Sequence, residues 1–107
     1  MIRHCVFMRL AAGVDEAALD EVMHGLDDLV DGMIGCRNFI FGPNRDFENK
    51  SPEHSYGFTL DAVDAAALAE YAGHPRHREL GGQLVALCEG GERGILVYDI
   101  EQDDAPG

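Results

Sequence analysis

Four short segments of the chain have the apolar pattern of β-strands. They cover residues 2–10, 36–42, 54–62 and 94–100. In the first of them, IRHCVFMRL, apolar residues fall on both faces, because Cys5 and Phe7 alternate with Val6 and Met8. A strand with this pattern needs cover on both of its sides.

The segments between these strands have the spacing of helices. Within residues 15–33 the apolar positions recur every third or fourth residue, and Asp15 is the predicted N-cap. A second helix is predicted at about 65–72 and a third at about 75–88, where Pro75 suits the first helical position. The three helices separate the first strand from the second and the third from the fourth.

The order of the predicted elements is β-α-β followed by β-α-α-β, which gives two similar halves. This order is typical of the α+β class and of the ferredoxin-like split βαβ fold. We therefore expect a four-stranded antiparallel sheet with its helices on one face. Residues 1–101 should form a single domain, and residues 102–107 a flexible C-terminal tail.

The second face of this sheet is too apolar for a monomer. In the last strand Leu96 and Tyr98 alternate with Val97, and Phe39 and Phe41 of the second strand also need cover. Exposure of all these side chains would create a large apolar patch, which soluble monomers avoid. The pattern predicts an obligate homodimer that packs through its sheet faces and closes into an α+β barrel.

Charge and cysteine content exclude several partners. Eight basic and twenty acidic residues give a net charge of -12, which disfavours nucleic acid and anionic membranes as partners. No apolar run approaches the length of a membrane span, and the N-terminus lacks a signal-peptide pattern. Three widely spaced cysteines cannot all pair within one chain. We expect reduced thiols and a cytoplasmic location.

The segment EYAGHPRHREL, residues 70–80, contains the candidate chemistry. Pro75 ends one helix and starts the next, so His74 is placed to cap the new helix. His77 then falls in its first turn, where the helix dipole disfavours imidazolium and leaves a neutral base. Tyr71 could polarise a substrate carbonyl through its hydroxyl. The alternative is structural, with both histidines only stabilising the helix junction.

No metal or cofactor is predicted. His74 and His77 are three residues apart, but the helix restart at Pro75 makes His74 a cap, and no third ligand has suitable spacing. Glycine-rich phosphate loops are absent from the sequence, and it has no specific signature for haem. The expected chemistry therefore depends on side chains alone.

Four segments together resemble the stress-responsive dimeric α/β-barrel domain family. They are MIRHCVFMRL, GPNRDF, EYAGHPRHREL and GILVYDIE, and the most specific element is the string Tyr-x-x-His-Pro-x-His. The chain is also similar to a plant polyketide cyclase, which forms olivetolic acid by an aldol-type ring closure without a cofactor. The resemblance implies that Tyr71 and His77 are a catalytic pair and that His4 lines the pocket. Tyr56 stands at or next to the place of a further pocket histidine in the cyclase.

Two kinds of function remain open at this point. The first is a cofactor-independent cyclase- or lyase-type enzyme that acts on an aromatic or polyketide-like carbonyl compound, with His77 as general base. The second is a non-enzymatic dimer that binds a small ligand or protects against stress. A cavity lined by His4, Tyr56, Tyr71 and His77 would favour the enzyme, and histidines bonded to backbone groups would favour the second.

Overall fold

The structure is a computed structural model, which describes residues 1–103. The strands are β1 (Ile2–Met8), β2 (Cys36–Pro43), β3 (Tyr56–Ala62) and β4 (Ile95–Glu101), and the helices are α1 (Glu16–Asp31), α2 (Ala65–Gly73) and α3 (Pro75–Leu87). Of the predicted flexible tail, residues 104–107 lie outside the described residues. Gln102 donates its backbone N–H to the Met1 carbonyl at 2.8 Å, so strand-like pairing reaches residue 102.

The four strands form one antiparallel sheet in the order β2-β3-β1-β4. This order and the three helices confirm the predicted ferredoxin-like α+β fold. β1 ends at Met8 and not at residue 10, because the backbone of Arg9 turns away to bond Gly94 and Glu89 at 2.8 and 2.9 Å. No helix among residues 1–103 is long and apolar enough to span a membrane.

The hydrophobic core lies between the helices and one face of the sheet. α1 starts where the Asp15 carboxylate accepts a hydrogen bond from the Ala17 N–H at 3.0 Å, and Asp64 caps α2 in the same way. The apolar stripe of α1 then packs onto the sheet. The largest fully buried side chains are Tyr71, Met8, Met23, Leu26, Leu60, Leu80, Val22 and Val30.

The expectation that Phe39 and Phe41 lie on the uncovered face is wrong. β2 has an irregularity between Arg37 and Ile40, where Asn38 takes a positive φ of 58°. Because β2 has one extra residue at this point, the side chains that follow it point to the opposite face of the sheet from the one that regular alternation predicts. Phe39 and Phe41 consequently pack against the core, while Ile40 points away from the helices.

The face of the sheet that points away from the helices, here called the outer face, is largely apolar. Its exposed large side chains are Phe7, Ile40, Leu96, Tyr98 and Ile100. Its buried carboxylate, on Asp61, is only 2% exposed and is neutralised within the chain. Arg3 donates to both of its oxygens, at 2.9 and 3.2 Å, and Asn38 donates to one at 2.9 Å. An apolar face with an internally paired charge is suited to burial against another protein surface.

A charge on the outer face should separate a sheet-to-sheet dimer. Ile40→Glu places a carboxylate on this face in both copies and removes two apolar contacts. Since a buried isoleucine is worth about 1.5–3 kcal/mol, we expect the dimer dissociation constant to rise at least about a hundredfold. Analytical ultracentrifugation at several concentrations measures the effect.

The matched control for that change is Ile34→Glu. Ile34 is fully exposed and precedes β2, outside the outer face, so this variant should dimerise like the parent chain. Equal dissociation constants for both variants and the parent would show that the outer face is not the dimer interface.

Candidate functional site at the helix junction

The junction between α2 and α3 is built by proline and histidine. α2 ends at Gly73, and His74 has an extended backbone, with φ of -66° and ψ of 135°, because a residue before proline is kept out of the helical region. Pro75 is the first residue of α3, and the Nδ1 of His74 accepts a hydrogen bond from the Arg76 N–H at 3.0 Å. The His74 side chain is thus engaged as the helix cap.

Three of the four predicted site residues come together beside this junction. Tyr71, in the last turn of α2, is completely buried. The ring of His77, the third residue of α3, lies 4.6 Å from the Tyr71 ring between centroids. His4, from β1, approaches Tyr71 from the other side, with its ring centroid at 6.0 Å. Two helices and a strand therefore assemble a cluster of one phenol and two imidazoles.

Two polar atoms of this cluster are buried and have no hydrogen-bond partner among the described residues. They are the Tyr71 hydroxyl oxygen and the His77 Nδ1. A buried polar group without a partner costs roughly 1–3 kcal/mol, and folded proteins contain few of them. Since both atoms lie on adjoining rings, a single ligand placed between them could satisfy both.

Burial sets the protonation states of the pair. It lowers the pKa of His77, helped by the nearby His4 and His74 and opposed by the neighbouring backbone of Ala72. The sequence predicted the same direction from the helix dipole, but desolvation is the main cause. Burial also raises the pKa of Tyr71. At neutral pH the site therefore presents a neutral imidazole beside a protonated phenol.

His4 is held by a residue that the sequence reasoning missed. Its Nδ1 lies 2.6 Å from a carboxylate oxygen of Asp99 on β4, which stands directly opposite His4 in the sheet. Because a carboxylate only accepts, Nδ1 donates, and Nε2 is left for another partner. The sequence does show that Asp99 is acidic and that alternation along β4 places it on the helix side of the sheet. This points to a partner for His4 only once β4 is known to lie next to β1.

Tyr56 is not brought to the other three residues. It begins β3, and Leu60, four residues later, is the residue that pairs with His4. Four strand residues span about 13 Å, so Tyr56 lies near the opposite end of the sheet. There its side chain lies on the helix side of the sheet, partly buried against the core, and its pKa is raised by that burial and by Asp20. The predicted cavity with all four residues is therefore corrected to a cluster of His4, Tyr71 and His77.

Within residues 1–103, no three His, Cys, Asp or Glu side chains lie close enough together to hold a metal ion. The three cysteines are buried and free, and burial raises the pKa of each thiol. The side chains that the cluster offers for chemistry are the Tyr71 phenol, the imidazoles of His4 and His77, and the Asp99 carboxylate.

Comparison with known proteins agrees with this architecture. Residues 2–102 match the Stress responsive A/B Barrel Domain family. A dimeric ferredoxin-like protein of unknown function from Jannaschia sp. CCS1 is 44% identical, with a TM-score of 0.85 over 94% of this chain and 98% of that chain. This likeness supports a homodimer. No curated protein matched the chain.

Two plant structures have the same fold at low identity. A protein from Arabidopsis thaliana is 22% identical, with a TM-score of 0.82 over 99% of both chains. A hydroxynitrile lyase from Passiflora edulis is 16% identical, with a TM-score of 0.79 over 98% of this chain and 96% of that chain. Such distant likeness shows a shared fold and nothing about shared chemistry.

Removal of the unpartnered hydroxyl should not harm the ligand-free protein. Tyr71→Phe keeps the ring and deletes the buried oxygen, so we expect the free energy of unfolding to stay level or to rise by about 1 kcal/mol. Urea denaturation at fixed protein concentration measures it, with Tyr56→Phe, a partly exposed tyrosine outside the cluster, as the control. A loss above about 1 kcal/mol would mean that the hydroxyl is hydrogen-bonded in the folded protein.

Stability should depend on pH through His77. Its pKa in the folded chain lies below the ordinary value of 6.5, so the unfolded chain binds the proton first as the pH falls. The stability that the neutral, buried His77 contributes is fully present above pH 6.5. It is lost progressively as the pH falls from 6.5 towards the pKa of His77 in the folded chain. His77→Gln should flatten the stability curve in that window, whereas His24→Gln, an exposed site on α1, should not. Parallel curves for the parent chain and His77→Gln would contradict a lowered pKa.

Proposed function

Since this chain belongs to the stress-responsive A/B barrel domain family, we propose that it is a homodimeric enzyme that binds a small hydrophobic carbonyl compound and converts it without a cofactor. One observation supports the site above all others. The Tyr71 hydroxyl and the His77 Nδ1 are buried on adjoining rings, and neither has a partner among the described residues. Such a pair destabilises the ligand-free fold, and a ligand that hydrogen-bonds both atoms would offset that cost.

The proposed reaction begins with proton transfer to His77. The neutral imidazole takes a proton from the carbon next to the ligand carbonyl, and the C–H electron pair forms an enolate. Tyr71 donates a hydrogen bond to the oxygen on which negative charge develops, and its raised pKa keeps it protonated. In a cyclase the enolate carbon then bonds to a second carbonyl carbon, whose oxygen receives the proton back from His77. A lyase would run the equivalent C–C bond cleavage.

The proposed substrate is an aromatic or polyketide-like carbonyl compound. The cluster consists of three flat rings, which favour a flat apolar ligand. The Asp99 carboxylate and the net charge of -12 disfavour an anionic one. His4, held by Asp99, offers Nε2 to a second polar group of the ligand. That a hydroxynitrile lyase has this fold supports the compatibility of the fold with such chemistry.

The second candidate function is a non-enzymatic dimer that binds a ligand or protects against stress. The helix-capping role of His74 and the contact of His77 with the Ala72 backbone favour it, because both are structural uses of histidine. Both candidates place the protein in the cytoplasm, which the three free cysteines support.

A two-part experiment distinguishes the candidates. Thermal-shift screening with small aromatic ketones should show stabilisation of the parent chain that is reduced in Tyr71→Phe and His77→Gln. Compounds that bind are then incubated in D₂O, and deuterium incorporation at the carbon next to the carbonyl is followed by NMR. We expect the rate to fall about 10²- to 10⁴-fold in His77→Gln, the usual contribution of a general base.

Binding without enzyme-dependent deuterium exchange would support the non-enzymatic alternative. If no aromatic ketone stabilises the parent chain, or if His77→Gln binds and exchanges as the parent does, the proposed site is wrong. Arg45→Gln, in the connection between β2 and β3, is a matched control and should behave like the parent.

A further inference from the structure

The outer face of the sheet is divided into a hollow half and a bulky half. One row of residues in register across the four strands shows this most clearly. From β2 to β4 the row reads Gly42, Gly57, Phe7 and Leu96. Two residues without side chains therefore lie on β2 and β3, and two large apolar residues lie on β1 and β4.

A groove of about 610 Å³ lies over the hollow half. Its lining includes all four residues of this row and Ile40, which lies in the next outer-facing row along β2. Its lining is mainly apolar. A groove of this size is larger than one side chain needs.

The absence of a side chain at Gly42 has no cause within its own chain. A Cβ built there meets no atom of the described residues within 4 Å, apart from its chain neighbours, and its φ is not positive. Gly57 is different, since its Cβ would lie 2.8 Å from the Phe7 ring. Glycine in a strand costs about 0.5–1 kcal/mol and often marks the close approach of another molecule. Gly42 is therefore best explained by a group that comes from outside the chain.

A second copy of this chain fits the groove. The homodimer is already supported by the dimeric Jannaschia relative. Four strands of this length give the face a flat area of roughly 400 Å². The side chains that project from it add further surface. The total is of the same order as the roughly 800 Å² that each partner buries in a stable interface. The Asp61 charge is paired with Arg3 and Asn38 inside the chain, so burial of the face leaves no unpaired carboxylate there.

We infer that the hollow over Gly42 receives the partner's Leu96. A two-fold axis that runs along the strands, midway between the two sheets, keeps each row at its level and exchanges the β2 side for the β4 side. The row of Gly42 then faces itself in reverse, so that the bulky half of each copy fills the hollow half of the other. This inference rests on the homodimer of the proposed function and is independent of the proposed reaction.

The alternative two-fold axis, across the strands, is less favourable. It would place each strand over its own copy and bring the row of Phe7 over the row that contains Arg3 and Asp61. Phe7 would then face the guanidinium of the Arg3–Asp61 pair, and the two glycines would face charged side chains. The hollow would remain unfilled by apolar groups.

An exchange of side-chain size between two chains tests the inference. Gly42→Leu fills the hollow from within, so two such chains should clash with each other, and we expect the dissociation constant to rise about tenfold to a thousandfold. Leu96→Ala leaves two cavities and should weaken the dimer about tenfold or more. When the two variants are mixed, the side chain added by Gly42→Leu meets the space left by Leu96→Ala, while the second contact stays native. Native mass spectrometry should show the mixed dimer in excess over random pairing.

The matched control is Gly82→Leu, an exposed glycine of α3 whose Cβ also meets no atom of the described residues within 4 Å. It should dimerise like the parent chain. Tight self-association of Gly42→Leu, or random pairing with Leu96→Ala, would overturn the inference while leaving the homodimer intact. A monomeric parent chain would instead overturn the homodimer itself. If Gly42→Leu fails to fold by circular dichroism, Leu96→Ala decides alone: unchanged dimerisation refutes the inference.

Discussion

A β-sheet has two faces, and three helices cover only one of them in this chain. This constraint determines most other features of the structure. The covered face forms the core around Met8, Leu60 and Leu80, and the outer face remains apolar. The two faces are built from the same strands, because neighbouring side chains of a strand point to opposite faces of the sheet. In β1, His4 faces the candidate site while Cys5 faces away from it, and in β4 Asp99 and Tyr98 are related in the same way. The outer face and the candidate site therefore share the same two strands.

The candidate site exists because a proline interrupts a helix. Pro75 forces His74 into an extended conformation, and the new helix begins at an angle that brings His77 back onto Tyr71. The result is a phenol and an imidazole in a buried place, without partners for their polar atoms in the described chain. No other buried side-chain nitrogen or oxygen in the described part of α2 and α3 lacks a partner. A conflict confined to two adjoining groups is typical of a functional site, where stability is given up for binding.

The sequence predicted the elements well because their causes are local. Alternation located the strands, helical spacing located the helices, and the proline located their junction. It failed where the cause was not local. The positive φ of Asn38 reverses the facing of Phe41, which no periodic pattern indicates. The pairing of Asp99 with His4 depends on which strands are neighbours. Tyr56 was misplaced because the register of β3 against β1 cannot be obtained from either strand alone.

We propose that the buried polar atoms of Tyr71 and His77 form a ligand site. A crystal structure determined with a bound aromatic ketone tests it most directly. We expect the ketone oxygen within about 2.6–3.2 Å of the Tyr71 hydroxyl, and the carbon next to the carbonyl within about 3.5 Å of the His77 Nδ1. A ketone bound elsewhere would contradict this proposal. A structure in which both polar atoms are hydrogen-bonded to their own chain would contradict it as well.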